Sequence, residues 1–558
     1  MNYQRSLDRQ TGRLFAAVIR LGMVAVLFVA SATTALAQSP EIRKAFRYND
    51  IEQPSKMIAA LEKAVQEEED QYYLGLGHIL MNNLDQALKI FEKRMADDRK
   101  DPLPVAGKAH VLILQGKANE GKALLQQAAD MNRRKTAAQW EAIGRAYLAD
   151  SKFLLDAISA LENGKAIDNG DREIHLLLGD AYLAQNRGGE SVSSYERASS
   201  ADPQWAKPLH KIARVYQRAR NTELVMDYLQ RAVKVDPEYA PAWKDLGEQY
   251  YVQKQPKLAV DAYEKYLQIS ETPGDARYQL AFFYFMAKDY QKANEIFREV
   301  LNNRDASATA LKFYAFSLIE QGKEDEARQT LEQFFQKAKP EEIKPSDYGQ
   351  YANLLLKMKE DSLANIALEK GIALDTAMEA MDLRELNAET YRKRKKFEEA
   401  AQAYEQLVEA KKAIEVQPSA YDFFWMGYSY YLTDQYHEAD TAFTAVAEQQ
   451  PQSPLGYLWA AKARVQIDST GEQGLAVPMY EQYLEKALTD DASIQKEKRN
   501  IIEAYDYLGQ YALHHKDNVA EATNYFKKIL ELDPKNERAQ DFMNTVRELN
   551  NPTRGKGR

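Results

Sequence analysis

The chain contains no cysteine. That single absence excludes disulfides, thiolate metal sites, cysteine nucleophiles and a lipid anchor on a mature N-terminal Cys. Histidine is scarce and scattered, at His78, His110, His175, His210, His437, His514 and His515. None falls in an H-E-x-x-H frame, and no His/Asp/Glu cluster has metal-ligand spacing. The His514-His515 pair reads as a surface turn. A G-x-S-x-G nucleophile elbow is also missing. Runs of acid such as "EEED" at 67–70 read as solvated helix faces. Covalent or metal catalysis has nothing to build on, so the chain is read as a non-enzyme with no cofactor. Glycine and proline are modest at 25 and 18, and Val/Ile runs are few. Alanine, Leu, Glu, Lys, Gln and Tyr dominate, which favours helix over sheet.

Long apolar runs are missing too, with one exception at the start. "LGMVAVLFVASA", Leu21–Ala32, follows Arg5, Arg9, Arg13 and Arg20 and precedes the small residues Ala35–Ala37. This is the pattern of a secretory signal peptide covering residues 1–37. Its core is shorter than the roughly 20 residues a spanning helix needs. An exported chain in the periplasm of a Gram-negative bacterium is expected, without stable membrane insertion after cleavage. Secretion, or an uncleaved anchor in the inner membrane, is the alternative. Cleavage would remove four Arg and one Asp, taking the net charge from −9 to −12. So acidic a chain is a poor bulk binder of nucleic acid or anionic membrane.

"ILQGKANEGKALL", residues 113–125, carries the frame of a phosphate-binding loop: Gly116, four residues, Gly121, Lys122. The next residue should offer a hydroxyl to magnesium, and it is Ala123. "IEQGKEDEARQTL" at 319–331 aligns with it, placing Gly322 on Gly116 and Ala327 on Gly121. The second copy has no phosphate-loop character. Both read as a helix, a tight turn at the first Gly, and another helix.

The repeat extends outward. A small residue recurs at Gly75, Ala109, Gly144, Gly179, Ala213, Gly247, Ala281 and Ala315, in steps of 34 or 35. It continues more loosely at Ala352, Ala388, Gly427, Ala461 and Gly509. A second small residue follows 12 later at Ala87, Ala259, Ala293, Ala327, Ala364, Ala400 and Ala439, and closing prolines stand at Pro203, Pro237, Pro451 and Pro534. With Trp243, Leu246, Gly247, Tyr250, Ala259 and Tyr263, this resembles the tetratricopeptide repeat. The resemblance implies an all-α fold: a right-handed α-solenoid, or superhelix, of about 13 helix hairpins with capping helices. Small residues would let paired helices approach, and aromatics such as Tyr195, Phe297 and Tyr404 would fill the gaps.

The expected organisation is a signal peptide (1–37), a linker and capping helix (38–70), with one amphipathic helix over 55–70, and a first solenoid part (71–338). A hinge at 339–345, within "KAKPEEIKP" (337–345), a less regular second part (346–534), a capping helix (535–550) and a disordered basic tail (551–558) follow. In the family, positions 2, 5, 9, 12 and 13 of each first helix face a ligand. Carried over, they give a basic patch of Lys207, His210, Arg214 and Arg218 with the adjacent Lys211. They also give groove aromatics Tyr278, Phe282 and Phe285, then Phe316, then Tyr428 and Tyr431. The basic patch suits a carboxylate or an acidic segment, or is ordinary surface charge. The rings either bind a ligand or pack as core. The family's carboxylate clamp, Lys and Asn in three successive helices, is not found. The expectation is a scaffold or adaptor in the cell envelope that binds a protein or peptide. A glycan or cell-wall polymer stacked on the aromatics is the alternative partner.

Overall fold

The computed structural model describes residues 40–64, 68–131, 134–272, 274–302, 307–376 and 380–550. The expected signal peptide and basic tail lie outside these residues. The 29 α-helices among them pack in consecutive antiparallel pairs, without a strand among the described residues. The chain divides into two compact units, Met1–Ala306 and Ser307–Arg558.

The first unit begins with α1 (Pro40–Asp50) and α2 (Pro54–Ala64). Then come α3 (Glu68–Leu80), α4 (Leu84–Asp97), α5 (Pro102–Leu114) and α6 (Ala118–Asp130). Next are α7 (Ala137–Tyr147), α8 (Leu154–Ile167), α9 (Arg172–Ala184) and α10 (Gly188–Ala201). The unit ends with α11 (Ala206–Arg218), α12 (Thr222–Val235), α13 (Ala240–Val252), α14 (Pro256–Ile269), α15 (Ala276–Met286) and α16 (Tyr290–Leu301). From α3 to α16 these form seven repeat hairpins. The second unit holds six more, from Ala308–Glu320 to Val519–Leu532, and a last helix, Glu537–Asn550. Thirteen hairpins is the number the small-residue spacing predicts.

The small residues do what their size permits. A methyl on Gly247 would lie 2.4 Å from the Tyr263 ring, and one on Gly179 would lie 2.4 Å from Tyr195. Ala87, Ala259, Ala293, Ala327, Ala364, Ala400 and Ala439 are fully buried on the second helices. Each hairpin so formed leaves one apolar face, which its neighbour covers.

The phosphate-loop letters take ordinary places in this frame. Gly116 is the left-handed turn residue between α5 and α6, at φ +81°. Gly121 lies inside α6 against Ile113, and Lys122 Nζ pairs with Asp156 at 2.8 Å. Residues 339–345 hold a 3-10 turn, Pro340–Glu342, ahead of the Pro345–Lys357 helix in the second unit.

The N-terminal region differs from a single helix over 55–70. Residues 40–64 form a hairpin, α1–α2, and Glu68 already belongs to α3. Pro54 opens α2, and Glu52, at φ +61°, makes the tight turn before it. Ile42, Ala45, Met57 and Leu61 bury the hairpin's apolar side in one cluster with Tyr72, Tyr73 and Leu76 of α3.

Candidate functional site

Helix α11 carries the whole predicted basic patch, and its two halves fare differently. At its start, Trp205 and Lys207 turn toward the α1–α2 hairpin. Asp50 Oδ2 accepts from Trp205 Nε1 at 2.8 Å, and Oδ1 accepts from Lys207 Nζ at 2.7 Å. Burial lowers the Lys207 ammonium, but Asp50, Glu173 and Asp180 outweigh it and hold its pKa above the ordinary lysine value. His210 is buried, with Nε2 at 2.7 Å from Asp245 Oδ2 and Nδ1 at 3.1 Å from Tyr239 Oη. Lys211 pairs with Asp180 at 2.9 Å. Arg214 and Arg218, one turn apart near the other end, are exposed and enter no ion pair among the described residues. With Asp180, Leu183, Ala184 and Lys211 they line a cleft of about 260 Å³.

The hairpin's contacts continue along the repeats. Ile51 is 2% exposed and joins the apolar cluster of Leu209, Ile212, Tyr239 and Leu246. Ser270 Oγ donates to Glu52 Oε2 at 2.6 Å, and the Glu271 amide donates to the Glu52 carbonyl at 2.9 Å. Gln53 Nε2 donates to the Ile269 carbonyl at 2.9 Å. Arg47 forks onto Asp236 at 3.0 and 3.2 Å and reaches Glu238 at 2.7 Å. Residues 47–53 thus span the starts of α11 and α13 and the end of α14. Between α1 and the helices α7, α9 and α11 lies a cavity of about 580 Å³, bordered by Arg145, Arg172, Glu173 and Lys207 among others. These contacts join residues more than 150 positions apart, and sequence reasoning missed them. "DIE" at 50–52, between two short amphipathic helices, was the available signal, and it does not say which repeat it meets.

Arg145 at the cavity wall bonds Glu141 at 2.7 Å and Glu173 at 3.1 Å. Burial raises the Glu141 carboxyl to about 7 despite Arg145, with Asp171 and Glu173 adding to the rise. Burial, reinforced by Arg145, lowers the His110 imidazole to about 4. The two act oppositely on stability. The Glu141 contribution is full below its unfolded value near 4.5 and is lost as pH rises toward 7. The His110 contribution is full above 6.5 and is lost as pH falls toward 4. Urea melts of Glu141→Gln should therefore lose more stability between pH 7.5 and 5 than wild type. His110→Gln should gain relative to wild type over the same range. Slopes unchanged from wild type in both variants would contradict these assignments.

The six predicted rings are each partly buried against other aromatics. Tyr278 lies 6.3 Å from Phe297, and Phe282 lies 5.4 Å from Tyr251. Phe285 lies 5.8 Å from Tyr290. Phe316, in the second unit, lies 6.1 Å from Phe313. Tyr428 and Tyr431, also there, flank Trp459 at 5.0 and 5.5 Å. Among the described residues no group of three or more His, Cys, Asp or Glu could hold a metal ion, and no helix is long and apolar enough to cross a membrane.

Comparison with known proteins agrees with this architecture. Residues 173–204, 210–276 and 423–453 match tetratricopeptide repeat families. Residues 252–334 match the family described as anaphase-promoting complex, cyclosome, subunit 3. No curated protein matches the chain. Among solved structures, the C-terminal part of a TPR repeat-containing protein from Cytophaga hutchinsonii is 29% identical, covering 48% of this chain and 98% of its own, at a TM-score of 0.33. A tetratricopeptide repeat protein from Parabacteroides merdae is 19% identical, covering 46% and 98%, at 0.29. The pilF protein of Pseudomonas aeruginosa is 18% identical, covering 35% and 89%, at 0.30. Proteins built of such repeats serve typically as scaffolds for protein interaction. With its recurring small residues, its thirteen helix hairpins and these family matches, the chain is a tetratricopeptide repeat protein.

Proposed function

We propose that the chain is an exported scaffold that holds an acidic protein or peptide segment on the first unit, within the envelope of a Gram-negative bacterium. Export and compartment rest on the leader pattern of residues 1–37. The observation that carries the binding reading is the Arg214–Arg218 pair. Each of their basic neighbours on α11, Lys207 and Lys211, has an acidic partner within 3 Å. The two guanidinium groups enter no ion pair among the described residues, Arg214 acting on Glu248 only at longer range, in a chain with a surplus of acid. Paired guanidinium forks match carboxylates in shape and charge, and the Leu183 and Ala184 side chains offer an apolar floor beside them.

The test places a photo-crosslinking amino acid at Gln217 in the native host. A single dominant protein adduct is expected, and Arg214→Glu with Arg218→Glu should abolish it without moving the melting temperature. Adducts indifferent to the charge reversal, or none from a folded exported chain, would overturn the reading. A glycan reading rests on one place in the second unit. There Tyr421 is half exposed, 6.1 Å from Trp425, whose ring also carries the Arg392 guanidinium at 4.0 Å and meets Phe424 and Tyr428 at 5.2 and 5.6 Å. Displacement of a bound partner by soluble glycans, but not by acidic peptides, would favour it.

A further inference from the structure

The α1–α2 hairpin occupies positions that the scaffold reading, on which this inference rests, would give to a partner. Lys207 and His210 stand at two of the ligand-facing positions of their repeat. Lys207 is already bonded to Asp50, and Tyr239, which bonds His210, shares an apolar cluster with Ile51. We propose that the face made by Trp205, Lys207, Tyr239 and Ser270 is a docking site for an acidic–aliphatic–acidic segment of a partner protein. Its own Asp50–Ile51–Glu52 fills the site in the resting chain as an internal ligand.

Three features support displacement over a fixed structural tie. First, the recognition is local and peptide-like. Asp50 takes one indole N–H and one ammonium, Ile51 enters an apolar socket, and Glu52 takes a hydroxyl and a backbone amide. Charge-assisted bonds flanking one buried aliphatic anchor form a complete recognition unit for a short segment. Second, the tie is not required to complete a repeat. The α13–α14 hairpin, whose edge the segment crosses, has its own sequential neighbours in α12 and α15. Third, the outer contacts are solvent-accessible. Arg47 is half exposed where it meets Asp236 and Glu238, so the attachment can fray from that side. The same helix α11 then presents Arg214 and Arg218 beyond the segment, where a longer acidic partner gains contacts that the internal one lacks. A partner engaging both halves of α11 thus has a differential affinity with which to open the hairpin.

The experiment measures binding of a fluorescein-labelled peptide of residues 45–56 to the full-length chain by anisotropy. Wild type should bind it at least tenfold more weakly than Ile51→Asp, in which the internal segment is expelled from its apolar socket. Adding Lys207→Glu to Ile51→Asp should remove the binding. Asp50→Asn with Glu52→Gln serves as a milder opened chain should Ile51→Asp fail to fold. Equal binding by wild type and both opened chains, or no binding by either opened chain, overturns the proposal. The scaffold reading is judged separately, by the crosslinked partner. A partner lost with Arg214→Glu/Arg218→Glu but captured equally by wild type and Ile51→Asp would leave that reading standing and remove the closure.

Discussion

Lys411→Met should be among the most destabilising single substitutions in the second unit, at about 3–5 kcal/mol. Lys411 Nζ lies between Glu385 Oε1 at 2.7 Å and Asp422 Oδ2 at 2.9 Å. The Asp422 side chain is 5% exposed, and its Oδ2 also accepts the Ser419 amide at 2.7 Å, as one half of a capping box on the Ala420–Leu432 helix. Burial lowers the Lys411 ammonium, yet the two carboxylates outweigh burial and hold its pKa above the ordinary value. Methionine keeps the length of the side chain and removes the charge. Asp422 is then a buried carboxylate held by the Ser419 backbone amide, and its helix start is destabilised with it. Asp422→Asn in the same chain keeps an acceptor for the cap and removes the stranded charge. Urea titration should find the double variant more stable than Lys411→Met alone. If Lys411→Met shifts the midpoint by less than a surface substitution, the pair contributes nothing and the assignment fails.

Tyr263→Ala should cost about 3–5 kcal/mol in the first unit. The ring is 1% exposed, lies 4.8 Å from Phe283 and 5.9 Å from Tyr266, and its hydroxyl donates to Glu248 at 3.1 Å. It also covers Gly247, where an added methyl meets it at 2.4 Å. Gly247→Ala alone should therefore cost about 1–3 kcal/mol by overpacking. The two changes share one space, so together they should cost less than their sum by at least about 0.5 kcal/mol. Stability in a stacked array passes to the next repeat, and Phe283 of α15 packs directly on Tyr263. Hydrogen exchange should consequently speed up in α15 of Tyr263→Ala as well as in α13 and α14. Strict additivity, with exchange changed only in α13 and α14, would contradict this packing account.

The stack was legible because its signal is periodic. Every hairpin needs a small residue where its two helices cross, so Gly247 and Ala259 announce the same contact that Ala281 and Ala293 announce one repeat later. The turn residue is less constrained in type: Gly116 takes the left-handed conformation, but so do Asn186, Arg220 and Lys254 at equivalent turns. A pattern built on Gly alone therefore finds only some of them. The basic patch was legible as residue types on one helix face, but not as charges. Asp180 lies one repeat away from Lys211, and Asp50 lies 157 residues from Lys207. A period of 34 residues encodes contacts between neighbours in the stack and carries no information about an N-terminal hairpin meeting repeats far along it. The partly buried rings show a related ambiguity. Phe282 touches Tyr251 and Phe283, and helical spacing alone does not tell a lining aromatic from a packed one.

The most direct test of the account is hydrogen exchange over residues 45–56, with and without the partner crosslinked from Gln217. The account predicts slow exchange in the free chain, fast exchange once the partner is bound, and slow exchange again with the partner present when Arg214→Glu and Arg218→Glu remove its second foothold. Unchanged slow exchange under saturating partner would show that the partner binds elsewhere and that the hairpin is a permanent part of the fold.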